Sequence, residues 1–175
     1  MSLFKKFIVA IILAGALGYI ISIFLPSRWE IQRSLEIKAS KSEIYRQLED
    51  LNNWLNWYPW TNKSDITLRH EISQPSRGIG ATMKWQGQMT KPGKVVITQS
   101  DPQQGVWYNL TLNESMEVQG SILMSETENG ILVTWQDQGS LEHSFISRLL
   151  VSTLDEMVGA DFEKGLQALK QLVEK

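Results

Sequence analysis

The chain contains no cysteine. Disulfide frameworks, thiolate nucleophiles, zinc knuckles and thiol redox chemistry are therefore excluded together. Histidine is scarce too: His70 and His143 are the whole supply, too few to build a histidine-rich metal centre. Excess positive charge is also missing. Lys and Arg number 17 against 19 Asp and Glu, a net charge of −2, which leaves no basic footprint for nucleic acid. There is no Gly-x-Ser-x-Gly elbow, no His-Glu-x-x-His pair and no Walker loop. Arg77-Gly-Ile-Gly80 falls short of a dinucleotide fingerprint because Met83 stands where the third glycine belongs. Asp155 and Glu156 are adjacent on a helical stretch and point apart, so they read as a solvated face rather than a catalytic pair.

What the chain does have, in 175 residues, is one domain's worth of core and a short extra piece. From Phe7 to Leu25 nineteen residues pass without a charge. A helix that crosses the hydrocarbon layer needs ~20 mostly apolar residues, so residues 7–25 are long enough for a transmembrane anchor. A cleaved signal peptide fits less well. Its apolar core is usually ~7–15 residues, and no small-x-small site precedes Pro26. Residues 1–26 are thus expected to be the anchor and residues 27–175 one further domain. All 19 acidic groups and 15 of the 17 basic ones lie in that domain, Lys5 and Lys6 being the exceptions. Positive charge flanks the apolar run on both sides, at Lys5 and Lys6 and again at Arg28 and Arg33. A short N-terminal stub by convention stays in the cytoplasm, which places residues 27–175 on the non-cytoplasmic side.

Apolar residues alternate at Trp29, Ile31, Leu35 and Ile37, the period of a half-buried strand. Ser40-Lys-Ser-Glu43 is a capping box, and Ile44, Leu48 and Leu51 share a face of the short helix it opens. The following segment, NNWLNWYPWTN, is broken by Pro59. Period two then returns: Ile66, Leu68, His70 and Ile72; Ala81, Met83 and Trp85; a β-branched run over Lys94 to Ser100; Val106, Tyr108, Leu110 and Leu112. Met116, Val118, Ile122 and Met124 follow, then Ile131, Val133 and Trp135. Gly87, Gly93, Gly105 and Gly130 fall between these runs, as hairpin turns require. From about Ser144 to Glu174 the period becomes helical, with Leu150, Leu154, Val158, Phe162, Leu166, Leu169 and Val173 in one stripe. The order predicts an α+β fold of about seven antiparallel strands with a long terminal helix.

These residues resemble a known family. The opening strand running into Ile37-Lys-Ala-Ser40 leads to Asp50-Leu-x-x-Trp54-x-x-Trp57-x-x-Trp60. Gly80-Ala-x-x-x-Trp85-x-Gly87, Thr134-Trp135 and the closing Asp161-Phe-x-x-Gly165-Leu-x-x-Leu169-Lys170 follow in order. From Trp29 to Lys175 the chain is similar to the START-like helix-grip superfamily, and within it to the SRPBCC, polyketide cyclase/dehydrase-like branch. The resemblance implies a curved antiparallel sheet wrapped around the terminal helix, with a cavity between them for a hydrophobic small molecule or lipid. Catalytic residues in that superfamily are family-specific, and no such signature stands here. On this reading the ligand cavity is walled by Met83, Trp85, Tyr108, Leu110, Met124, Val133 and Trp135, and closed by Val158 and Phe162. Trp54, Trp57 and Trp60 read either as an aromatic rim over its mouth or as a cap on the core.

His70 and Asp137 are the polar residues in phase with apolar positions, and they are the candidates for acid/base work. Against them stand a rim histidine bonded to a backbone carbonyl and an aspartate past the end of its strand. No metal site or cofactor is expected. The partners implied are a hydrophobic small molecule or lipid and the membrane through residues 7–25, with no nucleic acid. A binding domain without catalytic machinery, a polyketide cyclase/dehydrase-like enzyme acting on an apolar substrate, and an interaction module with a filled core all remain open.

Overall fold

The computed structural model describes residues 3–24, 28–60, 65–140 and 151–174, with backbone alone for parts of the first and last helices. Helix α1 spans Leu3–Phe24, and its described side chains, among them Phe4, Phe7, Ile11, Ile12 and Leu13, are exposed. Among the described residues no helix is long and apolar enough to cross a membrane; in α1 the described side chains run unbroken only from Phe4 to Leu13. The helix expected over residues 7–25 is present up to Phe24, and a membrane span is not shown.

Strand β1 (Arg28–Ile37) is followed by α2 (Lys41–Glu49) and α3 (Leu51–Trp57). Six further strands come next: β2 (Arg69–Ile72), β3 (Thr82–Gln86), β4 (Gly93–Asp101), β5 (Gly105–Leu112), β6 (Met116–Glu126) and β7 (Ile131–Ser140). Helix α4 (Val151–Val173) closes the chain. All seven strands form one antiparallel sheet in the order β1-β7-β6-β5-β4-β3-β2. Because side chains alternate across a sheet, one face collects Ile31, Val133, Trp135, Ile122, Val106, Ile97 and Met83, all buried. Helix α4 packs chiefly on β1 over this inner face and touches β7, α2 and α3.

Local chemistry explains the helix boundaries. The Ser40 hydroxyl takes the Glu43 backbone N–H at 3.3 Å while the Glu43 carboxylate takes the Ser40 N–H at 3.0 Å. Asp50 ends α2 in an extended conformation and caps α3 through the Asn52 N–H at 3.0 Å, so the two short helices meet at an angle. On α4, Phe162, Leu166 and Leu169 are buried while Met157 is exposed. Expected positions 144–150 lie outside the described residues. The reading of residues 66–72 as one strand face needs correction. Ile66 is 91% exposed, because β2 begins only at Arg69 after a turn.

Candidate functional site

Tyr108 on β5, Gly120 on β6 and Asp137 on β7 stand directly opposite one another across three strands. Adjacent strands lie ~4.8 Å apart, so the outer two are separated by about twice that distance. The middle residue decides whether they can meet. A Cβ at Gly120 would lie 2.2 Å from the Tyr108 ring and 2.3 Å from Asp137 Oδ1. With hydrogen there instead, the tyrosine lies across the strand and its hydroxyl donates to Asp137 Oδ1 at 2.5 Å. Trp135 Nε1 donates to the same tyrosine oxygen at 2.6 Å. The result is a buried relay, indole N–H to phenol O–H to carboxylate, polarised toward Asp137.

The surroundings are almost wholly apolar and aromatic. Trp135 stacks on Phe162 of α4 with centroids 4.2 Å apart and planes 4° from parallel. Trp57 meets Trp135 edge-on at 5.6 Å, Trp54 meets Tyr108 edge-on at 5.5 Å, and Tyr58 lies 5.7 Å from Trp135. Asp137 is 5% exposed. Removing a carboxylate from water costs more than one hydrogen bond returns, so burial pushes its pKa up to about 7 despite the opposing pull of Tyr108. Burial first, then the Asp137 charge, also pushes the Tyr108 and Tyr58 hydroxyls well above their usual range. The site can therefore hold or release a proton near neutrality on Asp137, with Tyr108 locked as its donor.

Asp137 is not past the end of its strand, as β7 continues to Ser140. Asp137, Tyr108, Trp135 and Phe162 are brought together, whereas His70 lies at the far edge of the sheet, five strands from Asp137. His70 is half-buried opposite Trp85; burial lowers its pKa and a hydrogen bond with the Trp60 backbone opposes this. The aromatic rim is a correction. Trp54 and Trp57 are 0% and 1% exposed, and their indole N–H groups are tied to Leu48 O at 2.8 Å and Gln47 O at 3.3 Å. They cap the core, and Trp60 is only partly buried against it.

The single cavity wall is likewise divided. Met83, Leu110, Met124 and Val133 do face inward and are buried, and Val158 is half-buried on α4. However, the aromatic cluster fills the middle of the wall, between Met124 and Val133 at one end and Met83, Trp85 and Leu110 at the other. Four described clefts are bordered mainly by outward-facing polar residues. One of about 560 Å³, at the β2–β3 edge, brings His70 and Trp85 together with Arg69, Glu71, Lys84 and Lys94. Among the described residues no group of three His, Asp or Glu is placed to hold a metal ion.

Sequence reasoning missed Tyr58 and the role of Gly120. The available signal was a glycine in the middle of an alternating strand, which marks close approach by another group. Gly139 and Gly93 repeat the device, with the rings of Trp29 and Trp85 occupying the space a side chain would take.

No curated protein matches the chain. Several solved structures share its fold. A protein of unknown function from Staphylococcus aureus, SA2116, superposes with a TM-score of 0.66 at 10% identity, covering 87% of this chain and 99% of that one. Protein CV1439 from Chromobacterium violaceum gives 0.61 at 13% identity over 83% and 97%. The di-domain ARO/CYC StfQ of the steffimycin biosynthetic pathway gives 0.63 at 10% identity, covering 84% of this chain and 51% of StfQ. At these identities the likeness concerns the fold alone. Residues 28–174 match the family described as polyketide cyclase / dehydrase and lipid transport, nearly the whole domain after α1. The chain belongs to that family.

Proposed function

We propose that this protein is a membrane-tethered binding domain that holds a hydrophobic small molecule or lipid against the inner face of its sheet, with Asp137 and Tyr108 taking the ligand's one polar group. The observation that carries the reading is the buried relay. A carboxylate buried among aromatic rings with Tyr108 as its donor costs stability at neutral pH, because burial outweighs that one bond. Met83, Trp85 and Leu110 supply adaptable apolar wall beside it. The family description, which includes lipid transport, supports the same class of ligand.

The tether rests on the sequence. Nineteen uncharged residues lie within or next to a 22-residue helix. A helix crossing the hydrocarbon layer needs ~20 mostly apolar residues, close to the length of that uncharged run. A fluorescent fatty acid or sterol should bind residues 28–175 and quench tryptophan emission, and Asp137→Asn or Tyr108→Phe should weaken it about tenfold. Failure of a full panel of apolar probes to bind would refute the reading.

A second reading has the same carboxyl behind it. A group titrating near pH 7 in a buried site is suited to general acid/base catalysis on an apolar substrate. The ARO/CYC likeness and the cyclase/dehydrase half of the family description fit that use. It is separated from simple binding by an Asp137→Asn variant that still binds a substrate but no longer turns it over.

A further inference from the structure

The turns of the sheet divide into two ends. At one end lie Arg28 at the start of β1, Ser140 at the end of β7, the β5–β6 turn, the β3–β4 loop and the start of β2. That is the end at which α1 joins the domain, since only three residues separate Phe24 from Arg28. Four Cα steps of 3.8 Å allow at most ~15 Å between them.

Two large apolar side chains project from this same end: Ile66 is 91% exposed and Met89 83% exposed. They sit on neighbouring loops held rigidly together by Asp65, itself only 2% exposed. Its Oδ2 accepts the backbone N–H groups of Met89 at 3.1 Å and Thr90 at 2.9 Å. Its Oδ1 accepts the Thr67 N–H at 2.9 Å and hydroxyl at 2.6 Å. Thr67 Oγ1 in turn takes the Gln88 N–H at 2.8 Å. Gly87 leaves the carboxylate its room, since a Cβ there would lie 2.3 Å from Oδ2. Scattered exposed apolar residues are ordinary on a soluble surface. A pair on two loops tied together by one buried carboxylate, at the end where the chain leaves an apolar helix, is a different arrangement.

We propose that Ile66 and Met89 form a preorganised apolar tip that sits in the interfacial layer of the bilayer occupied by the protein's own α1. The inference rests on the membrane-tether reading above. If α1 spans, the short connection brings Arg28 to the membrane surface, and the tip at the same end of the sheet meets the headgroup region. Rigidity favours insertion because little side-chain and loop freedom remains to be lost. The domain would then stand on the membrane end-on, with the β6–β7 turn farthest from it.

The absence of cysteine makes a direct test simple. Ile66→Cys, Met89→Cys and Ile79→Cys variants of the full chain are labelled with an environment-sensitive fluorophore and reconstituted into phosphatidylcholine vesicles carrying nitroxide-lipid quenchers. Ile79 is 70% exposed in the loop at the opposite end and serves as the control. Labels at 66 and 89 should be blue-shifted and quenched several-fold more than the label at 79. Equal quenching at all three positions would overturn the tip while leaving the tether intact. A chain washed off the vesicles at alkaline pH would overturn the tether and the tip together.

Discussion

At the residue scale, Asp137 combines a charge, an apolar setting and a single donor, and its titration follows from that conflict. Its pKa is pushed up to about 7 by burial, whereas in the unfolded chain an aspartate titrates near 4. Between those values the folded state holds a proton that the unfolded state has lost. The Asp137 contribution is therefore most favourable below about pH 4 and is lost as pH rises to about 7. At 1.36 kcal/mol per unit, three units amount to on the order of 4 kcal/mol. Asp137→Asn keeps the shape and removes the charge. In denaturant unfolding, the variant should gain on the parent by ~3–4 kcal/mol between about pH 4 and pH 7.5. A constant gap would mean that the carboxyl titrates normally. Asp65 works in the opposite sense, since its hydrogen bonds with Thr67 lead in holding its pKa down to about 2. Its contribution is present above about pH 4 and fades as pH falls through about 2, equally in both proteins.

Gly120 tests the same relay from its floor. Gly120→Ala places a methyl group against both Tyr108 and Asp137. It should cost ~1–3 kcal/mol by overpacking and flatten the pH dependence by parting the two groups. Unfolding curves at two pH values check both effects. An alanine variant as stable as the parent, with its pH slope intact, would show that the relay does not depend on that gap.

At the scale of elements, two attachments hold α4 to the sheet, and their magnitudes differ. Arg33 on β1 donates to Asp155 at 3.1 Å and Glu163 at 2.9 Å, passing over Gly159, where a Cβ would lie 2.1 Å from its guanidinium. The side chains of Asp155 and Glu163 are 51% and 64% exposed, so solvent screens both pairs. Arg33→Ala should therefore cost only ~1 kcal/mol. Phe162 is fully buried on Trp135, and Phe162→Ala should cost ~3–5 kcal/mol. Thermal or denaturant unfolding of the two variants ranks them, and a larger loss from Arg33→Ala would reverse the account.

These elements also show what sequence can carry. Alternation at Trp29-Ile31-Leu35-Ile37 and the stripe through Phe162, Leu166 and Leu169 are one-dimensional patterns, and both placed the buried face correctly. The Ser40–Glu43 box is local and equally legible. The site is different, because Tyr108 and Asp137 are 29 residues apart and meet only through the register of three strands over one glycine. Trp54 and Trp57 were ambiguous for a related reason. A three-residue spacing does not tell whether α3 turns its rings toward the sheet or the solvent. Ile66 was misplaced because a turn at its position interrupts the alternation that the sequence shows.

At the scale of the whole molecule, the family match over residues 28–174 and the single seven-stranded sheet put the cooperative unit after α1. Removing residues 1–27 should leave a domain that unfolds in one transition with the same midpoint. Loss of cooperativity in circular dichroism would place α1 within the core instead. The proposed ligand of the inner face beside Asp137 and Tyr108 is an apolar molecule with one polar group. Native mass spectrometry of the full chain, purified from its host cells in mild detergent, decides the matter. The parent should carry a reproducible added mass from one class of apolar compound, lost or strongly reduced in Asp137→Asn. Bare protein in both samples, or an added mass carried equally by the variant, would contradict it.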